Sequence, residues 1–152
     1  MKGRNFCARA MSSEVDTIQV VYIEDEPEMI DLVRLVLTRR DKDARPDQPM
    51  YKVYGASGGR EGLQLIEDVK PDLVLLDLMM PDMDGWEVYQ QMKNRESMKD
   101  TPVIIVTAKA QSIDRVLGLH IAKVNAYVTK PFGPKVLMAS VEDVLRDVGR
   151  LD

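Results

Sequence analysis

Short apolar runs, separated by stretches with helical periodicity, constrain this chain more than any other feature. Ile18–Ile23 (IQVVYI) is β-branched and short, while LVLL at 73–76 and VIIV at 103–106 are apolar throughout. Between the first two runs, Met29, Leu32, Val33, Val36 and Leu37 recur at helical spacing, and Leu63, Ile66 and Val69 mark a second apolar stripe. A strand that is apolar on both faces needs cover on both faces, and alternation with helices implies parallel pairing. Tyr51–Ala56 reads as the second strand and Ala126–Thr129 as the last. Asp84 and Glu87 resemble a capping box opening a third helix, a fourth is expected from Ser112 to about Lys123, and Pro134 suits the first turn of a fifth. Leu137, Val141, Val144, Leu145 and Val148 give that last helix its buried stripe. The expected fold is α/β, a doubly wound five-stranded parallel sheet flanked by five helices.

At 152 residues the chain can bury one proper core and little more. Residues 1–16 lack periodicity and read as a flexible N-terminal leader, with one domain over 17–152; the polar, proline-bearing segment 41–50 reads as a loop. A net charge of −4 gives no reason to expect direct nucleic-acid binding. No apolar run is long enough for a membrane span, and the lone Cys7 has no disulfide partner, so the cytoplasm is the expected location.

The polar residues fall at strand ends. Glu24 and Asp25 follow the first strand, Asp77 the third, Thr107 the fourth and Lys130 the fifth. In sheets of this kind ligands bind beyond the carboxyl ends of the strands. Singly, each residue has a plain explanation as a helix cap, a first-turn acid or a solvated charge. Together they do not, because three neighbouring carboxylates cannot all stay ionised without a cation. Hard oxygen ligands suit Mg²⁺. Lys130 adds a positive charge and Thr107 a hydroxyl, a set arranged to receive a phosphoryl group on Asp77.

The segments VVYIEDEPEMIDLV, LVLLDLMMPDMDGWEV, TPVIIVTAKAQ and YVTKPF resemble the receiver domain of two-component response regulators, over about Ile18 to Val148. The resemblance implies a flavodoxin-like sheet of order 2-1-3-4-5, as in a chemotaxis regulator of the family. It implies that Asp77 becomes a 4-aspartylphosphate, charged by a sensor histidine kinase or a phosphotransfer protein. It implies Mg²⁺ held by Asp25, Asp77 and the backbone carbonyl of Met79, with Glu24 acting through water. Thr107 and Lys130 would contact the phosphoryl oxygens, and Tyr127 would be the aromatic partner of Thr107 in the switch. Lys130–Pro131 resembles the family's cis-peptide site, and Ala108 is small, as the family usually has it.

Three departures accompany the match. The loop at 41–50 is long, GLHIAKVNAY at 118–127 lacks the usual Gly-Ala-Asp-Asp and carries an extra residue, and Gly58 stands where aspartate is common, a turn variation. The second of these touches the surface through which the family signals and dimerises. Output is expected through a downstream protein target or an output domain absent from this sequence, and dimerisation is open. No enzymatic turnover is expected beyond self-catalysed phosphorylation and dephosphorylation. An aspartyl-phosphate phosphohydrolase would want a second acid two positions after the nucleophile, where Met79 stands; a degenerate receiver acting as a scaffold would not need this full set of residues. An apolar Met79, with Lys109 across the path of an attacking water, suggests dephosphorylation over minutes or longer. Trp86 reads as packing, His120 as a surface residue and the ten methionines as core filling, with Met79, Met80 and Met83 an alternative contact surface for the kinase.

Overall fold

The computed structural model describes residues 17–39, 49–108 and 124–151. Among these residues five strands and four helices follow in order: β1 (Thr17–Ile23), α1 (Pro27–Thr38), β2 (Met50–Ala56), α2 (Gly59–Val69), β3 (Leu73–Leu76), α3 (Gly85–Lys93), β4 (Val103–Thr107), β5 (Ala126–Thr129) and α4 (Pro134–Asp147). All pairings are parallel, and the order is β2-β1-β3-β4-β5. The helix expected at 112–123 lies outside the described residues, as do the leader at 1–16, most of the loop at 41–50, Lys109 and His120. Four helices are therefore seen where five were expected.

Strand pleating explains the two cores. Successive side chains point to opposite faces, so Val21, Ile23, Val74, Leu76, Val103 and Ile105 pack with Leu63, Ile66, Val88 and Met92 of α2 and α3. Val20, Tyr22, Leu73, Leu75, Ile104 and Val106 pack on the other face with Val33, Leu37, Leu137, Val141 and Val144 of α1 and α4. Burying each such side chain is worth roughly 1.5–3 kcal/mol.

Two expectations about the third helix meet the structure differently. Asp84 is its N-cap, with Oδ1 accepting the Glu87 N–H at 3.0 Å. Trp86 packs edge-on against Tyr89, ring centroids 5.8 Å apart. Of the proposed methionine contact surface, however, only Met79 is exposed; Met80 and Met83 join the core with Leu78 and Val88. The turn after β3 carries Leu78, Met80 and Met83 into the same core cluster as Val88 and Met92 of α3, which a linear reading of a turn does not reveal.

Candidate functional site

Register builds the site. Ile23 pairs with Leu76, Leu76 with Ile105, and Thr107 with Thr129. The ladder then runs one residue past three strands: Glu24 N–H donates to Ala56 O (2.9 Å), Asp77 N–H to Ile23 O (3.1 Å) and Lys130 N–H to Thr107 O (2.8 Å). Backbone pairing alone thus lines up Glu24, Asp77, Thr107 and Lys130 along one edge. The Lys130–Pro131 peptide bond is cis.

Close approach of helix to strand sharpens this edge. Gly85, the first residue of α3, lies so near Asp77 that a Cβ would overlap the Asp77 carbonyl and Leu78 Cα. Its N–H donates to Leu78 O at 3.0 Å. Any larger residue would push the helix off the backbone that carries Asp77.

Glu24, Asp25 and Asp77 offer carboxylate oxygens within 4.8 Å of one another. Glu24 and Asp77 are buried. Lys130 Nζ lies 2.6 Å from Glu24 Oε1, 3.4 Å from Asp77 Oδ2 and 3.8 Å from Glu26 Oε1. The ammonium thus leans toward Glu24. Glu24 is further engaged by the Tyr22 hydroxyl, which donates to Oε1 at 2.9 Å, and by the Glu26 N–H, which donates to Oε2 at 3.2 Å. Asp77 Oδ1 accepts the Met79 N–H at 3.1 Å.

Burial and the charge balance set the direction in which each group's pKa moves. Burial pushes the Asp77 carboxyl up to about 6; the Met79 N–H and Lys130 oppose that rise, and the charge of Glu24 adds to it. Burial alone would lower the Lys130 ammonium, but its hydrogen bond to Glu24 and the charges of Asp77 and Glu24 hold it above the usual lysine range. Burial and the neighbouring Glu24 likewise raise the Tyr22 hydroxyl, which stays protonated as a donor.

Thr107 is fully buried, and its Oγ1 has no hydrogen-bond partner among the described residues. A buried hydroxyl left in that state costs about 1–3 kcal/mol. An unsatisfied hydroxyl, an ammonium and carboxylates in excess over nearby lysine charge fit an oxyanion brought in together with a hard cation. Tyr127, opposite Ile105 in register, is half-exposed.

Tyr22 and Glu26 were not among the residues singled out from the sequence. A period-2 count back from Glu24 places Tyr22 on the same face, so its hydroxyl was within reach of that reasoning. Glu26 continues an acidic run, Glu24-Asp25-Glu26, that reads in isolation as a helix start.

Known proteins resemble this chain in both sequence and shape. The family model for the response regulator receiver domain matches residues 20–142. The alkaline phosphatase synthesis transcriptional regulatory protein PhoP of Bacillus subtilis is 36% identical over 128 residues, covering 84% of this chain and 48% of that protein. The chain therefore spans about half the length of that curated relative. Chemotaxis protein CheY4 of Vibrio cholerae superposes with a TM-score of 0.70 at 25% identity, covering 85% of this chain and 99% of that one. The receiver domain of a signal transduction histidine kinase from Syntrophus aciditrophicus gives 0.71 at 25% identity, covering 89% and 95%. Among the described residues no helix is long and apolar enough to cross a membrane.

Proposed function

The chain belongs to the response regulator receiver domain family, and we propose that it is a phosphorylatable switch whose acceptor is Asp77. The observation that carries this reading is the constellation, at the carboxyl edge of the sheet, of buried Asp77, half-buried Lys130 and a buried Thr107 hydroxyl without a partner among the described residues. The donor would be a phosphohistidine on a sensor kinase or phosphotransfer protein. An ionised Asp77 oxygen attacks phosphorus, the new O–P bond forms as the P–N bond breaks, and the departing imidazole nitrogen keeps the electron pair.

Asp25, Asp77 and the backbone carbonyl of Met79 would hold Mg²⁺. Glu24 would stand one step back, since both its oxygens already accept hydrogen bonds. When bound, Mg²⁺ would balance the carboxylates and stabilise charge on the transferring oxygens. Lys130 holds positive charge beside the acceptor, and the Met79 N–H orients Asp77 Oδ1 so that the other oxygen faces the donor. Among the described residues the Thr107 hydroxyl has no partner, and a phosphoryl oxygen on Asp77 would supply one. That gain favours the arrangement in which Thr107 closes on the phosphoryl group and Tyr127 follows, a population shift between two packings.

The chain acts as an acceptor rather than a turnover enzyme, because Met79 offers no acid or base beside Asp77. Output passes to a downstream protein target, with dimerisation one route, or to an output domain in a longer protein, in the cytoplasm. Treatment with acetyl phosphate and Mg²⁺, followed by intact mass, tests the reading. A single phosphoryl adduct is expected on the wild type and none on Asp77→Asn; no adduct on the wild type would leave a scaffold as the better reading.

A further inference from the structure

Gly58 stands at the N-cap of α2 and gives that helix no side-chain cap. The helix nevertheless has one. The carboxylate of Asp82, from the turn between β3 and α3, accepts the Gly59 N–H through Oδ2 at 3.1 Å and Oδ1 at 3.3 Å, across 23 residues. Burial alone would raise the Asp82 carboxyl, yet the N–H groups of Gly59, Met83, Arg60 and Asp82 itself hold it below the usual carboxylate range. A Cβ at Gly58 would lie 2.8 Å from Asp82 Oδ2, so a side chain there would force the Asp82 carboxylate out of its present position. The absence of a side chain at 58 is what admits the distant carboxylate.

The turn so held is the one that leaves Asp77. Its near end is fixed by the Gly85 N–H on Leu78 O, and its far end by the Asp84 cap on α3. Asp82 ties the middle of the turn to α2, five residues beyond the acceptor and three beyond Met79. We propose that Asp82 is a positioning residue for phosphoryl transfer: by capping α2 from the acceptor turn, it holds the backbone around Met79 in the arrangement that receives the cation. This rests on the reading of Asp77 as phosphoryl acceptor.

Exchanging the cap tests it. Gly58 has extended backbone, φ −164° and ψ 172°, which aspartate adopts freely. The double variant Gly58→Asp/Asp82→Ala therefore returns a local cap to α2 while leaving the turn untied. Wild type, Asp82→Ala, Asp82→Asn and the double variant are compared by urea unfolding, by calorimetric Mg²⁺ affinity and by the rate of acetyl phosphate labelling. Asp82→Ala is expected to lower the urea midpoint and to weaken Mg²⁺ binding and labelling about tenfold, in the range of lost supporting contacts around metal sites. Asp82→Asn, which keeps an accepting oxygen, should stay near wild type. The double variant should regain the urea midpoint but not the Mg²⁺ affinity or the rate. Recovery of all three, or an Asp82→Ala protein that loses stability alone, would overturn the positioning role and leave Asp82 as a helix cap. A wild type that labels not at all would overturn the acceptor reading itself, and this role with it.

Discussion

Two buried aspartates bracket β3, five residues apart, and they are handled in opposite ways. Asp72, before the strand, has Oδ1 2.9 Å from Arg150 Nη1 and Oδ2 accepting the Gln19 N–H at 2.8 Å; its own N–H returns to Gln19 O. Both its oxygens are engaged by good donors. Asp77, after the strand, has one backbone donor at 3.1 Å and an ammonium at 3.4 Å that sits closer to Glu24. Two more carboxylates crowd it. The amino end of the sheet closes its charges among themselves, and the carboxyl end leaves them open. Even the cations differ in kind: a planar guanidinium fixed in direction at one end, and at the other a point charge within 4.0 Å of three acids. A buried carboxylate is thus closed or open to further partners according to whether its neighbours already balance it.

The contrast is broken most directly at the closed end. Asp72→Ala should destabilise the fold by about 3 kcal/mol, since it strips a buried partner from Arg150 and from the Gln19 N–H. Labelling of Asp77 by acetyl phosphate should be unchanged per folded molecule. Urea unfolding and intact mass on the same samples check both halves; a large loss of labelling would mean the two ends are coupled through β3. At the open end the balance should reverse. Lys130→Met is expected to slow labelling about a hundredfold, comparable to removing one preorganised donor from a transition state.

Proton linkage separates the ends more finely. Folded Asp77 keeps its proton to about pH 6, whereas an unfolded aspartate loses it near pH 4. Between those values the folded state binds more protons than the unfolded one, so stability falls as pH rises through that window. In Mg²⁺-free buffer the wild type should therefore lose stability relative to Asp77→Asn, on the order of 2 kcal/mol from pH 4 to pH 7, as read by urea midpoints. A flat difference across that range would place the open charge elsewhere. The smallest effect concerns the exposed Met79. Met79→Asn gives an attacking water a polar partner and should shorten the phosphoryl lifetime several-fold, roughly what one added hydrogen bond is worth. Timed loss of the adduct measures it, and a longer lifetime would contradict the proposed water path.

Much of the open end was legible in the residues. Glu24, Asp25, Asp77, Thr107 and Lys130 each follow an apolar run, and a parallel sheet gathers whatever follows its strands. Little of the closed end was. Asp72 and Arg150 are 78 residues apart, and Arg150 lies beyond α4, where nothing periodic points to a partner. Asp82 and Gly59 raise the same difficulty, because a missing cap at Gly58 gives no hint of where the replacement comes from. Met80 and Met83 follow the reading of the methionines as core filling, and the alternative contact surface keeps only the exposed Met79; a turn has no fixed period by which to choose between the two.

The sequence by itself determined the βαβ alternation, the parallel pairing and the gathering of acids, hydroxyl and lysine at one edge, because strand period and strand-end position are local properties of the chain. Only the tertiary structure decided which of those charges are satisfied. That depends on angstrom-scale placement of groups up to 106 residues apart, such as Lys130 leaning closer to Glu24 than to Asp77. Hydrogen bonds and ion pairs fall off steeply with distance and angle, and no spacing along the chain encodes either.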